Sequence, residues 1–234
     1  MTETSAGDAK ALPNSIVALA YSGLLLGRAA ESSVTEKQKA GLVASVALWS
    51  LRKRRDIDFM SGRPSRWILP SPALKVVIVR GVTTSPEIES HIPSRPSRYS
   101  LEQELLNVVR FIAARPNKEG LEVMVREVIE EWLGDLYAKP HRELIDRVTD
   151  QAKTAGCYQQ VTVPRGQAIT RFLLGPKSVN VLTPTRAAEL KEAAEKLGRE
   201  WQQFVLQEPD LHAALIATVT DAINRRTTPR EWGE

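Results

Sequence analysis

The sequence predicts a mainly α fold: one helical-bundle domain carrying two β-hairpin elements. Six or seven stretches place apolar residues every three to four positions, the period of a helix with one buried face. Period-two alternation with β-branched residues occurs in only two regions. At 234 residues, 42% hydrophobic and 26% charged, the chain is long enough to bury a core without disulfide or metal staples. The breaks between segments are short and no internal repeat is present. These features predict a single domain over residues 13–226, between a disordered start at 1–12 and a tail at 227–234.

The first element is apolar, from Pro13 to about Arg28. Its core, Ile16 to Leu26, is 11 residues long, whereas a membrane-spanning helix needs about 20. Acidic Glu3 and Asp8 precede it, unlike the basic start of a signal peptide. A second helix begins near Thr35 or Gln38, presents Leu42, Val46 and Trp49, and ends in Arg52-Lys53-Arg54-Arg55, cations suited to a helix C-terminus. Alternation follows: Asp56 to Met60 reads as a strand, Ser61-Gly62-Arg63-Pro64 as a turn, and Trp67 to Leu69 and Lys75 to Val79 as further strand material. Ser85 to Arg98, rich in proline and serine, reads as a loop.

Ser100 is the expected N-cap of the next helix, with Gln103 completing a capping box. Arg115-Pro116-Asn117 stops it. A helix is expected over about Lys118 to Leu136. The next opens at Pro140, the favoured first position, and stops at Gly156, which suits a left-handed terminator. A hairpin is then expected from Cys157–Val163 and Ala168–Leu174 around Pro164-Arg165-Gly166-Gln167. Thr183-Pro184 opens a helix to about Gln203, and Pro209 opens the last one, ending near Arg226.

Charge is uneven. The chain is +4 overall, from 32 basic and 28 acidic residues. Residues 51–98 hold ten basic against four acidic residues, so this segment is +6 and the remainder −2. A basic patch on a near-neutral body attracts the phosphates of lipids or nucleic acids, and Arg52, Lys53, Arg54 and Arg55 are its candidate membrane-facing cluster. Clustered arginines on a solvated surface give the same pattern.

Catalytic patterns are few. His91, His141 and His212 are far apart and in no metal-binding spacing, and neither phosphate-loop glycines nor a nucleophile elbow occurs. One cysteine excludes an internal disulfide framework or a cysteine zinc site and suits a reducing, cytoplasmic compartment. Asp56-Ile57-Asp58 matches a short metal-binding triplet, but it also reads as the polar face of a strand. No catalytic residue, metal or cofactor is expected. Helix, turn, helix and hairpin over 118–174 have the order of a winged helix. In the second of those helices, however, Arg142, Arg147 and Lys153 are offset by Glu143, Asp146 and Asp150. A recognition helix gains affinity from excess positive charge, so no nucleic-acid partner is expected. The apolar stretch Phe172-Leu173-Leu174 is a candidate hairpin contact for a membrane, a partner protein or a second copy; burial inside the hairpin is the alternative.

Several strings, taken in order, resemble the Golgi phosphoprotein 3 family. Ala40-Gly41-Leu42-Val43-Ala44-Ser45-Val46-Ala47-Leu48, followed by Arg52-Lys53-Arg54 and the strand, is similar to that family's second helix and its arginine-rich exit. Trp132-Leu133-Gly134-Asp135-Leu136 and Arg142 through Gly156 resemble its Trp-x-x-Leu helix and the glycine-terminated helix that follows. Phe172-Leu173-Leu174, Leu182-Thr183 and Ala214-Leu215-Ile216 resemble its hairpin, the next helix start and a late helix. The resemblance implies a peripheral protein that binds phosphatidylinositol phosphate through one aromatic residue and several arginines. At the corresponding positions this chain has Val34, Val43, Arg142 and Ile145, so Arg142, with Arg147 and Lys39 nearby, forms the candidate head-group set in a degraded pocket. The resulting expectation is a non-catalytic protein at anionic phospholipid surfaces. The alternatives are a protein-interaction module that has lost lipid binding, and a winged-helix-like nucleic-acid binder.

Overall fold

The computed structural model describes residues 11–26, 34–61, 74–78, 99–115, 122–163 and 177–228. Among them the fold is mainly helical, with two small groups of antiparallel strands. In chain order, α1 is Asn14–Ala20, α2 Ser22–Leu25, α3 Glu36–Lys53, β1 Ile57–Ser61 and β2 Leu74–Ile78. Then come α4 (Leu101–Ala113), β3 (Glu122–Met124), α5 (Val125–Leu133), α6 (Pro140–Thr154), β4 (Tyr158–Val163), β5 (Lys177–Leu182), α7 (Pro184–Gln207) and α8 (Pro209–Arg225).

α3 is the axis of the molecule. Every residue from Ala40 to Leu51 is buried, more than the single face Leu42, Val46 and Trp49 predicts. The reason lies in Ala40-Gly-Leu-Val-Ala-Ser-Val-Ala-Leu-Trp-Ser-Leu51: it has no charged residue, and a helix apolar on all sides is surrounded by others. Around it pack α1, α4, α6 and α8. Gly41 permits a close approach of α8, since a Cβ at that position would lie 2.7 Å from Thr220 Oγ1. Thr35 and Gln38 form a full capping box at the start of α3. At its end Asp56 N–H donates to Leu51 O and Arg55 N–H to Arg52 O. That pattern puts Arg55 in the left-handed region, φ 61°, where glycine is usual. Ser100 caps α4 through the Gln103 N–H, while the Gln103 side chain turns to Asn107 instead of closing a box.

Three boundaries differ from the sequence expectation. The apolar first segment breaks at Tyr21 into α1 and α2. The helix expected from Lys118 begins at Val125, because Glu122–Met124 pairs as β3 with β2, bringing Val76 opposite Val123, both fully buried. The first hairpin is thereby a three-stranded sheet, β1-β2-β3; tertiary pairing overrides local helical pattern in so short a piece. The strand partnering β4 is Lys177–Leu182, with Tyr158 opposite Leu182 and Val163 opposite Lys177, rather than Ala168–Leu174, which lies outside the described residues. Gly156 terminates α6 at φ 72°, as expected from sequence. Trp49, Trp201 and Phe204 fill the seam between α3, α7 and α8, with the His212 ring against Trp201 and Phe204.

Candidate functional site

Arg147, on the second turn of α6, turns inward. Its Nε donates to Glu143 Oε1 at 3.0 Å, one terminal nitrogen donates to Trp132 O at 3.0 Å, and the other donates to Leu133 O at 3.2 Å and Tyr137 Oη at 2.8 Å. The guanidinium lies 4.9 Å from the Trp132 ring centroid and is only 10% exposed. The carbonyls at the end of a helix have no partner inside it. Arg147 supplies two of them, and Arg226 donates to the third, Glu130 O, at 2.7 Å. Arg147 is therefore a cap on α5, and its donors are turned away from solvent. The sequence reading placed Arg147 in the head-group set; its donors are engaged at the end of α5 and by Glu143.

Arg142 does face solvent. It is 58% exposed and holds Asp146 at only 3.8 Å, a pairing of the kind that contributes little. Lys39 is partly buried on the first turns of α3. The lysine whose charge reaches α6 is Lys37, which acts on the His141 ring together with Glu36. Lys39 follows two residues later, about 200° farther round the helix. Of the head-group set expected from sequence, Arg142 thus faces solvent while Arg147 faces the end of α5. Val43 is fully buried, and Ile145 is partly buried against the core.

The beginnings of α3 and α6 lie near each other, with Lys37 and Glu36 of α3 close to the His141 ring of α6. Lys37 and Lys139 are exposed and have no ion-pair partner among the described residues. With Arg142 they surround two helix N-termini, each bearing roughly half a positive charge. His141 sits between the helices, its Nε2 2.9 Å from Asn224 Oδ1 at the end of α8. Its Nδ1 is buried and has no partner among the described residues. Burial pushes the imidazole below its ordinary 6.5; the Asn224 bond and Glu36 oppose this, and Lys37 adds to it.

The basic cluster lies at the opposite end of α3. From Lys39 to Arg52 the helix rises about 20 Å. Here Arg52 pairs with Asp58 at 2.8 Å and Glu208 at 2.7 Å, Lys53 with Glu200 at 2.6 Å, and Arg54 with Asp56 at 2.9 Å. Three of the four cations thus face four acids, two of them contributed by α7 and its junction with α8, and Arg55 has no acid within reach among the described residues. Asp56 and Asp58 are committed to these pairs, and no cluster of metal-ligating residues occurs among the described residues. The other arginines of the +6 segment, from Arg63 to Arg98, and the contact residues Phe172, Leu173 and Leu174 lie outside the described residues.

No protein-family model, curated protein or solved structure matches the chain. Among the described residues no helix is long and apolar enough to cross a membrane.

Proposed function

We propose that the protein binds anionic phospholipid surfaces without catalysis, as a divergent relative of the Golgi phosphoprotein 3 family, and that contact is made where α3 and α6 begin. The observation that carries this reading is the pairing of two helix N-termini with exposed Lys37, Lys139 and Arg142. The ordered resemblance along the sequence supports the same reading. Attraction to an anionic bilayer is worth about 1 kcal/mol per basic residue close to it. Three such residues give at most about 3 kcal/mol, roughly a hundredfold, and Glu36 and Asp146 beside them reduce it. That is weak binding, and it fades once charges are farther apart than the Debye length of about 8 Å at physiological salt.

Stereospecific recognition is not expected. Arg147 is turned inward, and Val43 and Ile145 are aliphatic where a bidentate arginine fork is needed for a phosphate. The test is titration with liposomes containing phosphatidylserine, or phosphatidylinositol 4-phosphate at matched charge, at low and at physiological salt. The expected result is salt-sensitive binding with little preference between the lipids. Absence of binding at low salt would replace this reading with the protein-interaction alternative. Salt-resistant binding that strongly prefers the phosphoinositide would place a specific pocket elsewhere in the chain.

A further inference from the structure

The end of α8 and the start of α6 are fastened by three hydrogen bonds. Tyr137 N–H donates to Arg226 O at 2.7 Å, Thr228 N–H donates to Tyr137 O at 3.0 Å, and His141 bonds Asn224. His141 supplies the one group in this fastening that titrates near neutrality. We propose that the junction is an acid-labile latch, in which protonation of His141 releases the first turn of α6 and the segment after α8. The inference is independent of the lipid reading.

α3 contributes Lys37, which repels an imidazolium, and Glu36, which attracts one. α8 contributes Asn224, whose bond to Nε2 favours the imidazolium but is outweighed by burial. The carboxyl end of α8 would welcome a cation, but Arg225 and Arg226 already stand there, and Asp221, one turn before Asn224, is paired with Arg225 at 2.8 Å. On α6 itself, Glu143 is committed to Arg147 and Arg142 faces Asp146. α1 and β4, which also pack on α6, contain no Asp, Glu, Lys or Arg. A proton on Nδ1 would therefore create a buried N–H without an acceptor among the described residues, at the positive ends of two helices. Unpaired buried donors are destabilising.

The sign follows directly. The folded state holds His141 below its ordinary 6.5, so the opened state binds more protons. The latch is closed above that value and weakens as pH falls below it.

The experiment is hydrogen exchange read by mass spectrometry, corrected for intrinsic rates, at about pH 7.5 and about pH 5, values that bracket the ordinary histidine range. Segments 135–143 and 222–228 are compared with α4 as the internal reference. In the wild-type protein, protection of both segments should fall between the higher and the lower pH, while α4 stays protected. In His141→Gln, whose amide keeps a donor for Asn224 and cannot titrate, the fall should be absent. Unchanged protection in the wild type, or an equal fall in His141→Gln, would overturn the proposal. Should that variant fail to fold, NMR titration of the His141 ring in the wild type decides. A midpoint below 6.5 supports the latch; one at or above it contradicts it.

Discussion

Replacing Arg147 with methionine keeps most of the side chain's volume and removes its charge and all its donors. The guanidinium is 10% exposed and its partner Glu143 17%, so this is close to a buried pair. Breaking such a pair from one side is destabilising by about 3–5 kcal/mol. Trp132 O loses its partner, while Leu133 O keeps the Tyr137 hydroxyl at 3.2 Å. Residual solvent at Glu143 puts the loss at the lower end, about 3 kcal/mol, or about 9 °C in melting temperature for a chain of this size. Urea unfolding with linear extrapolation, together with a calorimetric melt, measures it. Lysine at this position restores charge without the planar fork and should recover less than half of the loss. Arg142→Met, at an exposed pair, should stay within about 0.5 kcal/mol of wild type. An Arg147→Met protein as stable as wild type that had lost lipid binding would refute the capping role and restore Arg147 to the ligand set.

Gly41→Ala gains about 1 kcal/mol of helix propensity but sets a methyl 2.7 Å from Thr220 Oγ1, and overpacking is destabilising by about 1–3 kcal/mol. A net loss of about 1 kcal/mol is expected, turning into a gain in a Thr220→Ala background; the same sign in both backgrounds would contradict this reading of the α3–α8 contact. Arg55→Gly should stabilise by about 0.5 kcal/mol, because relief of a left-handed non-glycine residue outweighs the greater flexibility of the unfolded chain. A chemical-denaturation midpoint that falls instead would mean that Arg55 makes contacts beyond those described.

The helices were legible because their boundaries are chemical. Thr35, Ser100, Pro140, Pro184 and Pro209 each stand at an expected start, and Gly156 at an expected end. β3 was hidden because Val123 reads as helical until it is seen opposite Val76, distant in sequence. The pairing of the basic cluster was hidden for the same reason. Glu200 and Glu208 lie about 150 residues from Arg52 and Lys53 along the chain, and only the fold brings them there to neutralise it. Arg147 gave some warning: it stands four residues after Glu143, a spacing that places the two on one helix face. Nothing local told that this face turns toward the end of α5. Lys37 and His141, which the structure brings near each other, are more than one hundred residues apart, and no sequence signal joins them.

The central claim concerns which end of α3 meets the membrane, and charge reversal separates the two ends. Lys37→Glu with Arg142→Glu, and Arg54→Glu with Arg55→Glu, are compared by co-sedimentation with phosphatidylserine liposomes at low salt, after circular dichroism confirms that both fold. Each pair changes the net charge by the same amount, so general electrostatic attraction affects them equally. The account predicts that the first pair abolishes binding and the second leaves it within about twofold. Loss of binding in the second pair with retention in the first would contradict it.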